Sequence, residues 1–167
     1  MKNKHLKSTS LALVFLFSFF VIAPLYAALS DTVTVKVTIA PSISVNVTES
    51  TLALGSVNAG ATKASTSAVT VTNDGSGINE TYSISLTNPS DWTASQTAAG
   101  SETYVLNSAF DADGASITWS EANHALSTTP TACSSTKFAA DQTGVSVPYN
   151  AARKLWFQFK APTATSV

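Results

Sequence analysis

Only one cysteine, two histidines and one methionine occur in 167 residues, and charged side chains make up 11% of the chain, against roughly 25% in ordinary soluble domains. The lone Cys133 excludes an internal disulfide, so stability has to come from packing. Nothing basic flanks it, which fits a buried or quiet thiol rather than a reactive one. Zinc needs three or four His, Cys or carboxylate ligands, and too few are available here. Helix formers at helical spacing are missing too, which removes the crossover helices a parallel sheet requires.

What is present begins with a leader. Lys2, Lys4 and Lys7 precede an apolar run from Leu11 to Phe17 that continues past Ser18 through Ile22 and stops at Pro24. This is a basic n-region and an h-region, shorter than the roughly 20 residues that span a bilayer. Cleavage is expected after Ala27, with Ala28 as the near alternative, so residues 1–27 read as a signal peptide. No cysteine follows to accept a lipid. Removing Lys2, Lys4 and Lys7 leaves six of the nine Lys and Arg against ten Asp and Glu. That acidic balance argues against nucleic acid or an anionic membrane as partner. Membrane contact is expected only through the signal peptide before cleavage.

The rest of the chain is written in period two. Val33, Val35, Val37 and Ile39 alternate with Thr32, Thr34, Lys36 and Thr38. The alternation recurs at Ile43, Val45 and Val47, at Leu52 and Leu54, at Val69 and Val71, at Tyr82, Ile84 and Leu86, and at Leu155, Phe157 and Phe159. Each run reads as a half-buried strand bounded by turn formers such as Asn73 to Gly77 and Asn88 to Asp91. Trp92 to Gln96, Thr103 to Phe110 and Ala115 to Ser120 suggest three more. From Glu121 to Gly144 the period fades into a long loop with one helical turn expected at Glu121 to Leu126. The expected fold is all-β, an immunoglobulin-like antiparallel β-sandwich of about eight to nine short strands. Its divisions are 1–27 leader, 28–40 N-terminal extension or first strand, 41–161 sandwich domain, and 162–167 linker or partial last strand.

Leu52-Ala53-Leu54-Gly55-Ser56-Val57, then Asn58-Ala59-Gly60, then Val69-Thr70-Val71-Thr72-Asn73-Asp74-Gly75, resembles the pattern of bacterial immunoglobulin-like surface domains. That group includes the abnormal-spindle and hydin-like modules and surface proteins of the WxL type. Leu54 stands where the group usually has an aromatic. The resemblance covers about residues 39–92 and implies an extracellular or periplasmic module for adhesion, assembly or spacing, with no catalytic residues to transfer. It also implies a closing valine- and threonine-rich strand. None appears before Val167, so either the sequence continues or a sheet edge is left open.

Candidate sites are few. Asp111-Ala112-Asp113-Gly114 has part of a calcium-loop spacing, but the fifth and twelfth positions hold Ala115 and Ala122, so Asp111 and Asp113 are read as turn residues and no metal is assigned. His124, the one histidine after the leader, lacks a nucleophile setting and reads as an ordinary loop residue. No catalytic residue and no cofactor site is assigned. Trp156 lies between Leu155 and Phe157 and so points away from their face, exposed or covered by a partner, with Arg153, Lys154 and Lys160 around it. These four form the candidate partner-contact surface. Val33, Val35, Val37 and Ile39 form the other, as a strand that could be donated to a neighbouring subunit.

The expected function is therefore a non-enzymatic secreted or cell-surface structural or adhesive module, partnered by protein or by its own copies. Alternatives are a fibre or coat subunit joined by strand exchange, and a carbohydrate-binding module that stacks surface polysaccharide on Trp92, Trp119, Trp156, Tyr104 and Tyr149. The sequons at Asn46 and Asn79 are expected to stay bare, because the short leader and the missing disulfides suggest a bacterium.

Overall fold

Val69, Val71 and Asn73 are buried while Thr70 and Thr72 between them are half-buried, the period-two signature of a strand with one face on a core. A computed structural model describes residues 36–37 and 40–165 of this chain. The signal peptide and Val33, Val35 and Ile39 lie outside the described residues. Contacts divide the chain into Met1–Thr38 and Ile39–Val167, and the architecture below is that of the second unit.

The unit is all-β apart from one helical turn. Its strands are β1 (Val45–Val47), β2 (Thr62–Ala64), β3 (Val69–Asn73), β4 (Ser83–Ile84), β5 (Thr93–Ala94), β6 (Thr103–Phe110), β7 (Thr131–Ala132) and β8 (Ala152–Lys160), with α1 (Glu121–His124) between β6 and β7. The larger sheet runs β1-β3-β8-β6-β5, with β2 also on β8, and β4 pairs with β7 in a second, two-stranded sheet. The two longest strands, β6 and β8, pair antiparallel over six residues from Val105↔Lys160 to Phe110↔Leu155.

On the other side of β8, β2 and β3 act as one interrupted strand. Ala64 pairs with Gln158 and Val69 with Leu155, so four residues on one side face two on the other. The surplus of two preserves which face each side chain meets. Ser65 fills the break, its N–H donating to the Phe157 carbonyl (2.8 Å) and its hydroxyl accepting the Phe157 N–H (3.2 Å).

Among the named strands the expected antiparallel pairing fails at one place, and the isolated bridges Ser101↔Ala164 and Phe110↔Ala139 are parallel as well. β5 and β6 run parallel, Thr93↔Thr103 and Ala94↔Tyr104, because the chain reverses twice between them, the second time in the turn that the antiparallel Gly100↔Thr103 bridge closes at the start of β6. Two expected strands do not form. Leu52 packs on the core without joining a ladder. Residues 115–120 follow a turn in which Asp111 Oδ1 accepts the N–H groups of Asp113 (3.1 Å) and Gly114 (2.6 Å), and Asp113 Oδ1 accepts that of Ala115 (2.9 Å). Such side-chain turns compete with strand pairing.

One core cluster joins Val69, Val71, Tyr82, Phe110, Leu126, Cys133, Phe138, Val147 and Leu155. Leu126, Cys133, Phe138 and Val147 come from the aperiodic stretch after β6, so that stretch covers the sheet rather than looping away. Fully burying Phe110 or Phe138 contributes about 1.5–3 kcal/mol each. Gly144 seals this layer, since a Cβ there would stand 2.7 Å from both Cys133 Sγ and Phe110 Cε2.

Candidate functional site: an open groove along a sheet edge

β1 is the edge strand, and its backbone faces two ways. Asp74 N–H donates to Ser44 O (3.2 Å) and Thr48 N–H to Thr70 O (3.2 Å), while Asn46 lies opposite Thr72. Residues 44, 46 and 48 therefore turn their peptide groups toward β3, and Ile43, Val45 and Val47 turn theirs outward. The same parity holds across the way. Glu80 exchanges backbone bonds with Val147 (2.9 and 2.7 Å), and Tyr82 gives its N–H to Gly144 O and accepts the Cys133 N–H (both 2.8 Å). Thr81 and Ser83 thus face the side opposite β7.

Between these two edges lies a groove of about 620 Å³. Ile43, Val45 and Val47 line one wall and Asn79 to Ile84 the other, with Val71, Phe110 and Leu155 beneath. Val45 and Val47 are 52% and 49% exposed and Ile43 77%, although Val47 shares its pairing position with buried Val71. Apolar side chains on the core-facing side of a strand that remain half exposed mark an unfilled layer.

The groove is held in shape at both ends. Ser42 gives its N–H to Ser76 Oγ (2.8 Å) and accepts the Ser76 N–H (2.8 Å), and Ser44 gives its N–H to Glu80 Oε1 (2.7 Å). Gly75 makes that clamp possible, because a Cβ there would lie 2.5 Å from Ser42 O and 2.6 Å from Glu80 Oε1. At the far end Glu49 Oε2 accepts the Thr70 N–H (2.6 Å) and the Thr48 hydroxyl (2.5 Å), bonds that hold its carboxyl below the usual range. Burial pushes the Tyr82 phenol up, and the Glu80 charge adds to it. Tyr82 therefore stays neutral in the wall.

The structure separates the residues expected around Trp156. The indole is half-buried against its own chain. Its Nε1–H donates to Asp111 O (3.0 Å), and Gly114 (φ +81°) lies so close that a Cβ would meet the ring at 2.9–3.0 Å. Arg153 donates to Thr143 O (3.2 Å) and Ala152 O (3.0 Å), Lys154 to Thr70 Oγ1 (2.7 Å), and Lys160 forms an ion pair with Glu121. Lys160 also stands four residues along β8 from Trp156, about 13 Å away, whereas Lys154 is two residues from it on the same face. Of the proposed donor strand, Val37 is described and is 77% exposed.

His124 departs from a plain loop residue. It is 4% exposed, with the Trp119 ring edge-on at 5.6 Å. Its Nδ1 accepts the Ser120 N–H (3.1 Å), which leaves the proton on Nε2 to donate to Ala139 O (3.1 Å). Burial lowers its pKa, the Ala139 bond opposing and the Lys137 charge assisting. Both ring nitrogens serve the backbone, so neither is free to act as a base. A neighbouring polar hollow lined by Ser116, Thr118, Asn123, His124 and Asp141 thus lacks an available imidazole nitrogen. Lys137 Nζ holds the helix end in place, donating to Ala122 O and Ala125 O (both 3.2 Å), carbonyls left over at the C-terminus of α1. Cys133 is buried, and burial raises its thiol to about 11.

Among the described residues no group of three or more His, Cys, Asp or Glu is placed to hold a metal ion. Asp111 and Asp113 use carboxylate oxygens on turn N–H groups, as described above. No helix among the described residues is long and apolar enough to cross a membrane. The position of the groove escaped sequence reasoning. Its signal, the alternation of Ile43, Val45 and Val47, is that of any core-facing strand, and only pairing reveals that nothing described lies beyond it. Comparison with known protein families, curated proteins and solved structures finds no match for this chain.

Proposed function

We propose that this chain is a non-enzymatic exported protein whose immunoglobulin-like β-sandwich serves structure or adhesion outside the cytoplasm by binding protein through the β1–β4 groove. The carrying observation is the groove's make-up: apolar walls on Ile43, Val45 and Val47 flanked by two rows of outward-facing peptide groups. Such a surface matches an extended polypeptide, which satisfies both rows by main-chain bonds and fills the apolar positions with alternate side chains. The basic leader supports export, and the Val-x-Asn-x-Gly segment supports the sandwich assignment.

Of the aromatics that could stack a sugar, Trp92, Trp119, Trp156, Tyr104 and Tyr149, Tyr104 is buried against Phe159 and Tyr149 is exposed, and the three tryptophans speak against sugar stacking as the main role. Trp92 stacks on Phe159 at 6.4 Å, Trp119 packs on His124, and Trp156 lies against Gly114. None of the three shares a flat platform with another.

The test uses the full chain, leader included, made in a bacterial host with a photo-cross-linking residue at Ser83 or, as control, at exposed Thr128. Polypeptide adducts outside the cytoplasm from position 83 and not from 128 are expected. Retention in the cytoplasm would refute export, and glycan adducts or none at position 83 would refute protein binding.

A further inference from the structure

We infer that the occupant of the groove is the Thr32–Ile39 segment of a second copy of this chain, laid along β1 as an added strand. This rests on the reading of the groove as a protein-docking surface and names the partner. Ile43, Val45 and Val47 present three apolar positions at period two along the edge. Val33, Val35, Val37 and Ile39 present four with the same spacing and no interruption. A strand of that length extends about 26 Å, enough to run the whole edge, with Thr32, Thr34, Lys36 and Thr38 left on the opposite face.

The linker chooses between a second copy and the chain's own groove. Only Ala40, Pro41 and Ser42 separate the segment from Ile43, and folding back onto β1 would need a tight hairpin there. Two- and three-residue hairpin loops require positive φ at one or more positions, normally supplied by Gly, Asn or Asp. Pro41 is locked near −65°, and Ala40, preceding a proline, is steered out of the helical region that a type I turn needs. Ser42 is already tied by both backbone groups to Ser76. Insertion into another copy's groove requires no turn. Each copy then offers one strand and one groove that are different surfaces, so the contact is head-to-tail and builds closed rings or open filaments, or is exchanged reciprocally in a dimer.

The experiment compares the full chain, exported and recovered from the host, with the double variant Val35→Asp and Val37→Asp, by light scattering across a dilution series and by urea denaturation. The expected result is a concentration-dependent oligomer for the natural chain, association weakened at least about 100-fold in the variant, and an unchanged midpoint for the dissociated unit. Oligomers that persist in the variant would overturn the inference. So would a natural chain that stays monomeric, whether its midpoint drops in the variant, which would place the segment in its own groove, or not. Cross-links from Ser83 to some other polypeptide, with the natural chain monomeric, would sink the second-copy occupant and leave the docking groove standing. No polypeptide adduct at all would sink both.

Discussion

Asn73 offers the sharpest test of how this fold is held together. It ends β3, is fully buried, and uses every polar atom of its side chain. Nδ2 donates to Ile78 O (2.8 Å) and to Val147 O (2.9 Å), and Oδ1 accepts the Gly75 N–H (3.1 Å). One carboxamide thus ties the end of β3 to the following turn and to the segment that pairs with Glu80 in the groove wall. At about 1 kcal/mol net for each bond, Asn73→Ala loses about 3 kcal/mol, the Gly75 N–H and the Ile78 carbonyl losing their side-chain partner while Val147 O keeps the Glu80 N–H. In a domain of this size that is a fall of roughly 6–12 °C in Tm. Asn73→Asp keeps the shape and the acceptor but turns a carboxylate oxygen toward two carbonyls, so at neutral pH it costs at least as much. Its sign with pH is distinctive. A buried, badly partnered Asp has its folded pKa raised above the unfolded value of about 3.9, so its deficit relative to the natural chain shrinks as pH falls toward that value. Urea titrations followed by tryptophan fluorescence read all of this, with Asn79→Ala, an exposed residue with one bond to Ser146 Oγ at 3.1 Å, expected within about 0.5 kcal/mol. An Asn73→Ala loss under about 1 kcal/mol would refute the reasoning.

Three further outcomes follow from the same geometry. Because burial lowers the folded pKa of His124, its neutral form stabilises the fold above the unfolded value of about 6.5, and that stability is lost as pH falls from there through the folded value. Urea midpoints measured from pH 7.5 down to about 5 should therefore drop, and a flat profile, or one unchanged by His124→Gln, would contradict the burial argument. Cys133, its thiol raised to about 11, should resist a thiol reagent in the native protein and react once urea unfolds it; rapid native labelling would show that the site is open. Gly114→Ala combines a left-handed φ of +81° with a Cβ 2.9 Å from the Trp156 ring, a loss of about 2–4 kcal/mol accompanied by a change in tryptophan emission, and an unaltered midpoint would mean the ring has room.

The parts of this fold that were legible in the sequence are those where pairing and burial leave a periodic trace. β6 occupies Thr103–Phe110 as expected, β3 and β8 contain the expected apolar positions, and the helical turn begins at Glu121. The turn cluster after β3 was legible as a turn, though not the role of Asn73 in anchoring it. What was illegible is the covering layer. Leu126, Cys133, Phe138 and Val147 fill the core at spacings of seven, five and nine residues, which match neither period. Phe138 even adopts a left-handed φ of 58°, a conformation that surrounding contacts impose and sequence does not announce. The strand expected over Ala115 to Ser120 rested on too few residues to show a period. There Trp119 meets the His124 ring, and Ser120 gives its N–H to that same ring.

The groove is a consequence of which edge is left undefended. Proteins blunt exposed strands with lysine, proline, bulges or a covering segment. At the opposite edge of the larger sheet β5 is two residues long, too short to template another chain. β1 has none of these devices within it: Val45, Asn46 and Val47 are exposed, and the nearest lysine on the sheet, Lys154, is two strands away and bonded to Thr70. Yet the edge is not loose, because Ser42, Ser44 and Thr48 are fixed by five hydrogen bonds to Ser76, Asp74, Glu80 and Thr70. An edge clamped in extended form has already met the ordering cost of accepting a strand, so an incoming segment surrenders only its own freedom. Disorder would have protected the protein from adventitious pairing; rigidity does the opposite. Among the described residues nothing covers this apolar, preorganised edge, and on the proposed reading it is the covering segment, rather than any side-chain chemistry, that would decide binding.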